Sequence, residues 1–99
     1  GVIFLDVTVV DAAFELHQNT PNPFQTETSI GFDLPEDAKA IITISDVSGR
    51  VLTIVRTDAA AGYNTINVTK DMLHGTTGVL TYTLTAGELT ATKKMILLE

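Results

Sequence analysis

His17 and His74 are the chain's two imidazoles, and base or metal chemistry would ask each of them for a positioned partner. One stands beside a strand-like segment and the other in a loop, so both read as surface or turn residues. Ser29, Ser45 and Ser48 are the hydroxyls a hydrolase would draw on. None sits in a nucleophile-elbow context or has an evident histidine partner, which argues against a catalytic triad. Glu36 and Asp37 with Asp33, or Asp46 with Ser48, carry oxygens of the kind Ca²⁺ takes, but without the regular ligand spacing of a calcium loop. They read as turn acids. Asn67-Val68-Thr69 spells an N-glycosylation sequon inside a strand pattern, where it reads as fortuitous. No Gly-rich phosphate loop, internal repeat or low-complexity tract is present, and no catalytic, cofactor-binding or metal site is expected.

The bulk properties narrow the remaining classes. With 12 acidic against 6 basic residues the formal charge is −6, which argues against a nucleic-acid partner, since phosphate binding rests on clustered Lys and Arg. Without cysteine there is no disulfide framework, thiolate zinc site, iron–sulfur cluster or thiol nucleophile, so stability must come from the core. A length of 99 residues suits a single domain. The apolar runs are too short to span a bilayer as helices, which takes roughly 20 residues. Gly1 to Val10 lacks a positive n-region and carries Asp6 within its apolar run, unlike a signal peptide. An exported parent protein would carry its export signal elsewhere.

The elements that position these residues are strands. Thr, Val and Ile number 16, 9 and 8, a third of the chain, and β-branched side chains pack well on a pleated sheet while losing rotamer freedom in a helix. Thr28, Ile30, Phe32 and Leu34 alternate with Glu27, Ser29, Gly31 and Asp33. The same period of two runs through Ala40, Ile42 and Ile44, through Val51 to Arg56, and through Ile66 and Val68. It returns in Leu80, Tyr82 and Leu84, and in Leu89 to Leu98. Phe14 to His17 adds a short strand. Pro21 and Pro23 stiffen the loop that follows it, Asp46-Val47-Ser48-Gly49 makes a hairpin turn with Gly49 at positive φ, and Lys70 to Gly75 suits a single helical turn. About seven short antiparallel strands imply an all-β, immunoglobulin-like sandwich, without the Cys pair and Trp of antibody domains. The expected core is Leu16, Ile30, Phe32, Ile42, Ile44, Ile66, Val68, Tyr82 and Leu84. Val2 to Val10 reads as a further strand, joined by Asp11-Ala12-Ala13 to the rest.

Six blocks in order carry a family resemblance over Phe14 to Glu99. They are Phe14-Glu15-Leu16-His17-Gln18-Asn19-Thr20-Pro21-Asn22-Pro23-Phe24, Ile30-Gly31-Phe32-Asp33-Leu34-Pro35-Glu36 and Ile44-Ser45-Asp46-Val47-Ser48-Gly49-Arg50-Val51. Then come Ala61-Gly62-Tyr63-Asn64, Gly78-Val79-Leu80-Thr81-Tyr82-Thr83-Leu84 and Thr90-Ala91-Thr92-Lys93-Lys94-Met95-Ile96-Leu97. In this order and spacing, with the chain stopping just after the Lys-Lys-Met strand, they resemble the type A C-terminal sorting domain of the type IX secretion system of Bacteroidota. The resemblance implies a non-catalytic β-sandwich at the end of an exported cargo protein. It implies an outer-membrane translocon as partner, a sortase-like peptidase that removes the domain and attaches the cargo to an anionic lipopolysaccharide, and delivery through the periplasm to the surface or the medium. No cofactor is implied.

The resemblance also marks Lys93, Lys94, Met95, Ile96 and Leu97 as the candidate segment for translocon recognition, because the family's export signal is concentrated in the terminal strand. Asp46, Gly49, Pro21 and Pro23 are expected to be structural turn residues. Thr81, Ser45 and Thr83 depart from the residues usual in the family, at positions that alternation turns outward. Residues 1–13 lie outside the resemblance and read as the last strand of a preceding domain plus a linker, where cleavage would fall, leaving 14–99 as the sorting domain. An unpaired strand over residues 2–10 would be an aggregation hazard, so self-association through it is a second expectation. The competing functional reading is a structural immunoglobulin-like module that assembles or adheres through exposed strands.

Overall fold

The structure, a computed structural model, describes residues 13–99. The strand expected over Val2 to Val10, and with it most of the 1–13 segment, lies outside the described residues. Seven strands follow: β1 (Glu15–Leu16), β2 (Glu27–Leu34), β3 (Ala38–Ser45), β4 (Val51–Ala59), β5 (Gly62–Thr69), β6 (Gly78–Ala86) and β7 (Leu89–Leu97), with a 3₁₀ turn over Lys70–Leu73 between β5 and β6. They form two antiparallel sheets, one in the order β1-β2-β5 and one in the order β4-β3-β6-β7. The expected all-β sandwich is the observed architecture.

The alternation of β2 places Thr28, Ile30, Phe32 and Leu34 against the other sheet and leaves Ser29 and Asp33 half-exposed on the outside. In the four-stranded sheet the cross-strand pairs Ile42–Leu84 and Ile44–Tyr82 build the facing layer. Eight of the nine expected core residues are buried and Ile66 is partly so. Ile66 lies on β5, which among the described residues is an edge strand with a neighbour on one side only. Val68, two residues on, is fully buried beside the 3₁₀ turn, whose Leu73 is also completely enclosed.

β4 runs three residues past Arg56, to Ala59, because Thr57, Asp58 and Ala59 pair with Ala40, Lys39 and Ala38. A register shift between Ile44 and Ser45 sets Ile44 opposite Thr53 and Ser45 opposite Val51. Leu52 is buried there and Val51 exposed. The hairpin is closed by Asp46, whose Oδ1 accepts hydrogen bonds from the Ser48 amide (2.9 Å), the Ser48 hydroxyl (2.6 Å) and the Arg50 amide (3.0 Å). Gly49 has φ 92°, a conformation a side chain would strain. The Ser48 hydroxyl is the main reason the Asp46 carboxyl sits below its ordinary range. Desolvation opposes it, and the two amides and the Arg50 guanidinium reinforce it.

The candidate recognition strand and its edge

β7 is the last of the described strands and, among the described residues, one edge of its sheet. Successive side chains of a strand point to opposite faces, so the five candidate recognition residues divide. Met95 and Leu97 are buried in the core, at 0% and 2% exposure. Lys94 and Ile96 project from the outer face, opposite Thr81 and Val79 on β6. Lys93 lies on the inner side of the strand, opposite Tyr82, and is half-buried at the sandwich margin. The two lysines therefore form no single basic patch. A surface reading the folded strand from outside meets Lys94 and Ile96, while Met95 and Leu97 serve to hold the strand in place. Among the described residues neither lysine has an ion-pair partner.

The outer edge of β7 meets the loop that carries Pro21 and Pro23. Gln18 Nε2 donates to the Lys94 carbonyl (2.7 Å), the Ile96 amide donates to Asn22 Oδ1 (2.9 Å), the Phe24 amide donates to the Ile96 carbonyl (3.0 Å), and the Leu98 amide donates to the Phe24 carbonyl (2.8 Å). An edge strand with such groups open is a template for another chain. Here the groups around Ile96 are already used, which closes the C-terminal half of this edge to an added strand. Phe24, apolar but outside any alternating run, is buried at 2% where it bridges to Leu97.

The loop is anchored from beneath. Buried Asn19 donates through Nδ2 to the Pro21 carbonyl (3.1 Å) and to Thr28 Oγ1 (3.0 Å), and its amide donates to the Tyr82 hydroxyl (3.0 Å). That hydroxyl donates in turn to the His17 carbonyl (2.8 Å). The bonds preceding Pro21 and Pro23 are both cis. Among the described residues no buried side-chain nitrogen or oxygen lacks a partner, as a fully satisfied polar network requires.

The residues first weighed for chemistry are scattered. Ser29 bonds Asn67 of the sequon (2.8 Å), Ser48 bonds Asp46, and His74 is an exposed left-handed residue closing the 3₁₀ turn. His17 is the exception. Its Nε2 lies 2.6 Å from Asp33 Oδ2, a partner 16 residues away that no local spacing reveals.

Comparison with known families matches residues 20–98 to the family described as the secretion system C-terminal sorting domain. The parallel searches of curated proteins and of solved structures returned no match.

Proposed function

Because this chain belongs to the secretion system C-terminal sorting domain family, the sorting signal of type IX export, we propose that it addresses an upstream cargo to the outer-membrane translocon through the outer face of β7. In this reading the folded domain crosses the periplasm with its cargo, is engaged at Lys94 and Ile96, and is then cut away within residues 1–13 by a sortase-like peptidase that attaches the cargo to lipopolysaccharide. Sorting domains of this family are in general non-catalytic, and the translocon, the peptidase and the cargo are the partners. The family match over 20–98 carries the proposal, and the exposure of Lys94 and Ile96 on the terminal strand supports the choice of surface.

A reporter fused to residues 14–99 should reach the surface or the medium in a type IX-competent host, and removal of 93–99 should leave it in the periplasm. That deletion also strips Met95 and Leu97 from the core, so it confounds folding with recognition. Lys93→Glu with Lys94→Glu keeps the strand. We expect the double variant to lose surface delivery and Lys94→Glu alone to reproduce most of the loss. Normal delivery of a folded double variant would show that these charges are not read.

One observation favours the self-assembling alternative. Among the described residues β4 pairs only with β3, which leaves the other edge of its nine residues open to strand addition. The apolar segment 2–10 of a second copy is the proposed occupant. Light scattering of residues 1–99 beside 12–99 should then show the longer chain alone associating. Two monomers at high concentration would remove the idea.

A further inference from the structure

Glu15, His17 and Asp33 converge on the outer face of the three-stranded sheet. Glu15 and His17 are two residues apart, so they project to one side of the chain, and Asp33 stands directly opposite Glu15 across the β1–β2 ladder. His17 Nε2 is 2.6 Å from Asp33 Oδ2, and its Nδ1 is 3.8 Å from Glu15 Oε2. One ligand-type atom from each residue lies within 4.8 Å of the other two. The imidazole is also held in place. The His17 amide donates to the Gly31 carbonyl (2.9 Å), and the Tyr63 ring stands 5.8 Å from the imidazole, tilted by 57°. Tyr63 reaches that position by lying over Gly31, where a β-carbon would collide with its phenol.

We propose that Glu15, His17 and Asp33 form a binding site for a divalent transition-metal ion of the zinc class. An imidazole nitrogen with two carboxylates is a borderline donor set that suits Zn²⁺, whereas Ca²⁺ takes six to eight oxygens and Mg²⁺ a near-ideal octahedron. Tetrahedral Zn²⁺ with bonds of about 2.0–2.2 Å sets its ligand atoms about 3.3 Å apart. One ion takes one imidazole nitrogen, so with Nε2 as donor the 2.6 Å contact with Asp33 Oδ2 has to widen, and Glu15, now 3.8 Å from the other nitrogen, has to rotate towards it; the two carboxylate side chains, 63% and 32% exposed, are free to do so. The ion takes the place of the proton shared by His17 and Asp33, Glu15 swings in, and solvent fills the fourth position. β1 has two residues and two register pairs, and it is the strand through which anything upstream enters the domain. A metal bridge from β1 to Asp33 on β2 clamps that junction. The inference is independent of the sorting role.

The test is titration of the 99-residue chain with ZnCl₂ by calorimetry, beside amide NMR. We expect one saturable site per chain in the micromolar range. Shifts should concentrate at Glu15, His17, Gly31, Asp33 and Tyr63, with a melting temperature that climbs with free Zn²⁺ as ligand linkage requires. CaCl₂ and MgCl₂ should do neither. His17→Ala should weaken binding at least about tenfold, as should Asp33→Asn, which keeps a hydrogen-bond partner for the imidazole and so separates lost ligation from lost fold. His74→Ala should bind as the parent does. An isotherm that does not saturate below millimolar Zn²⁺, that survives His17→Ala, or whose shifts centre on His74 overturns the proposal.

Discussion

Phe32→Ala should remove about 3–5 kcal/mol of stability. Phe32 is completely buried on the inner face of β2, opposite Leu16 of β1, and its ring belongs to the cluster that fills the space between the sheets. Truncation forfeits the transfer free energy of the ring and leaves a cavity that two hydrogen-bonded sheets can close only in part. Such a loss is a large fraction of the roughly 5–15 kcal/mol that holds a domain folded. For a domain of this size it lowers the melting midpoint by well over 10 °C, at about 4–8 °C per kcal/mol. Ser29→Ala is the control three residues away. Ser29 faces outward and loses one exposed hydrogen bond to Asn67, so it should change stability by no more than about 0.5 kcal/mol. Thermal melts of the two variants decide the matter: equal midpoints would mean that β2 presents its other face to the core, since a slip of one residue exchanges the faces.

That register was legible because β3 and β6 bury every second residue along most of their eight and nine residues, and β2 does the same over eight but for Gly31. Where the pattern breaks, burial follows tertiary pairing instead. Leu52 is drawn inside beside the register shift at Ser45, Phe24 by its bridge to Leu97, and Leu73 by a 3₁₀ turn too short to show a helical period. Each is apolar, but no local rule says which such residue will find a partner. The candidate strand was half legible in the same sense. Alternation by itself separates Lys94 and Ile96 from Met95 and Leu97, whereas the covered edge of β7 depends on Gln18, Asn22 and Phe24, more than 70 residues upstream. The approach of His17 to Asp33 belongs with these. A cross-strand contact is fixed by register, so its sequence spacing carries no motif.

Tyr82→Phe is the variant that joins the core to that covered edge, and it should cost about 2–4 kcal/mol although it removes a single oxygen. The hydroxyl is buried between two backbone groups, accepting from the Asn19 amide and donating to the His17 carbonyl. Phenylalanine leaves both unpaired, and an unsatisfied buried group costs about 1–3 kcal/mol. The same burial raises the phenol's pKa above its ordinary value, with the Asn19 hydrogen bond pulling part of the way back. In the unfolded chain a tyrosine loses its proton near pH 10, while the folded protein retains this one to higher pH. Above that point the unfolded state binds fewer protons, so stability falls with rising pH. The parent should therefore show a steeper alkaline loss than Tyr82→Phe. Asn19 lies at the root of the loop that closes the β7 edge, and freeing it should speed amide exchange at Ile96 and Leu98, which donate to Asn22 and to Phe24. Slow exchange retained at both amides in a folded Tyr82→Phe protein would show that the two-proline loop grips β7 without help from the core.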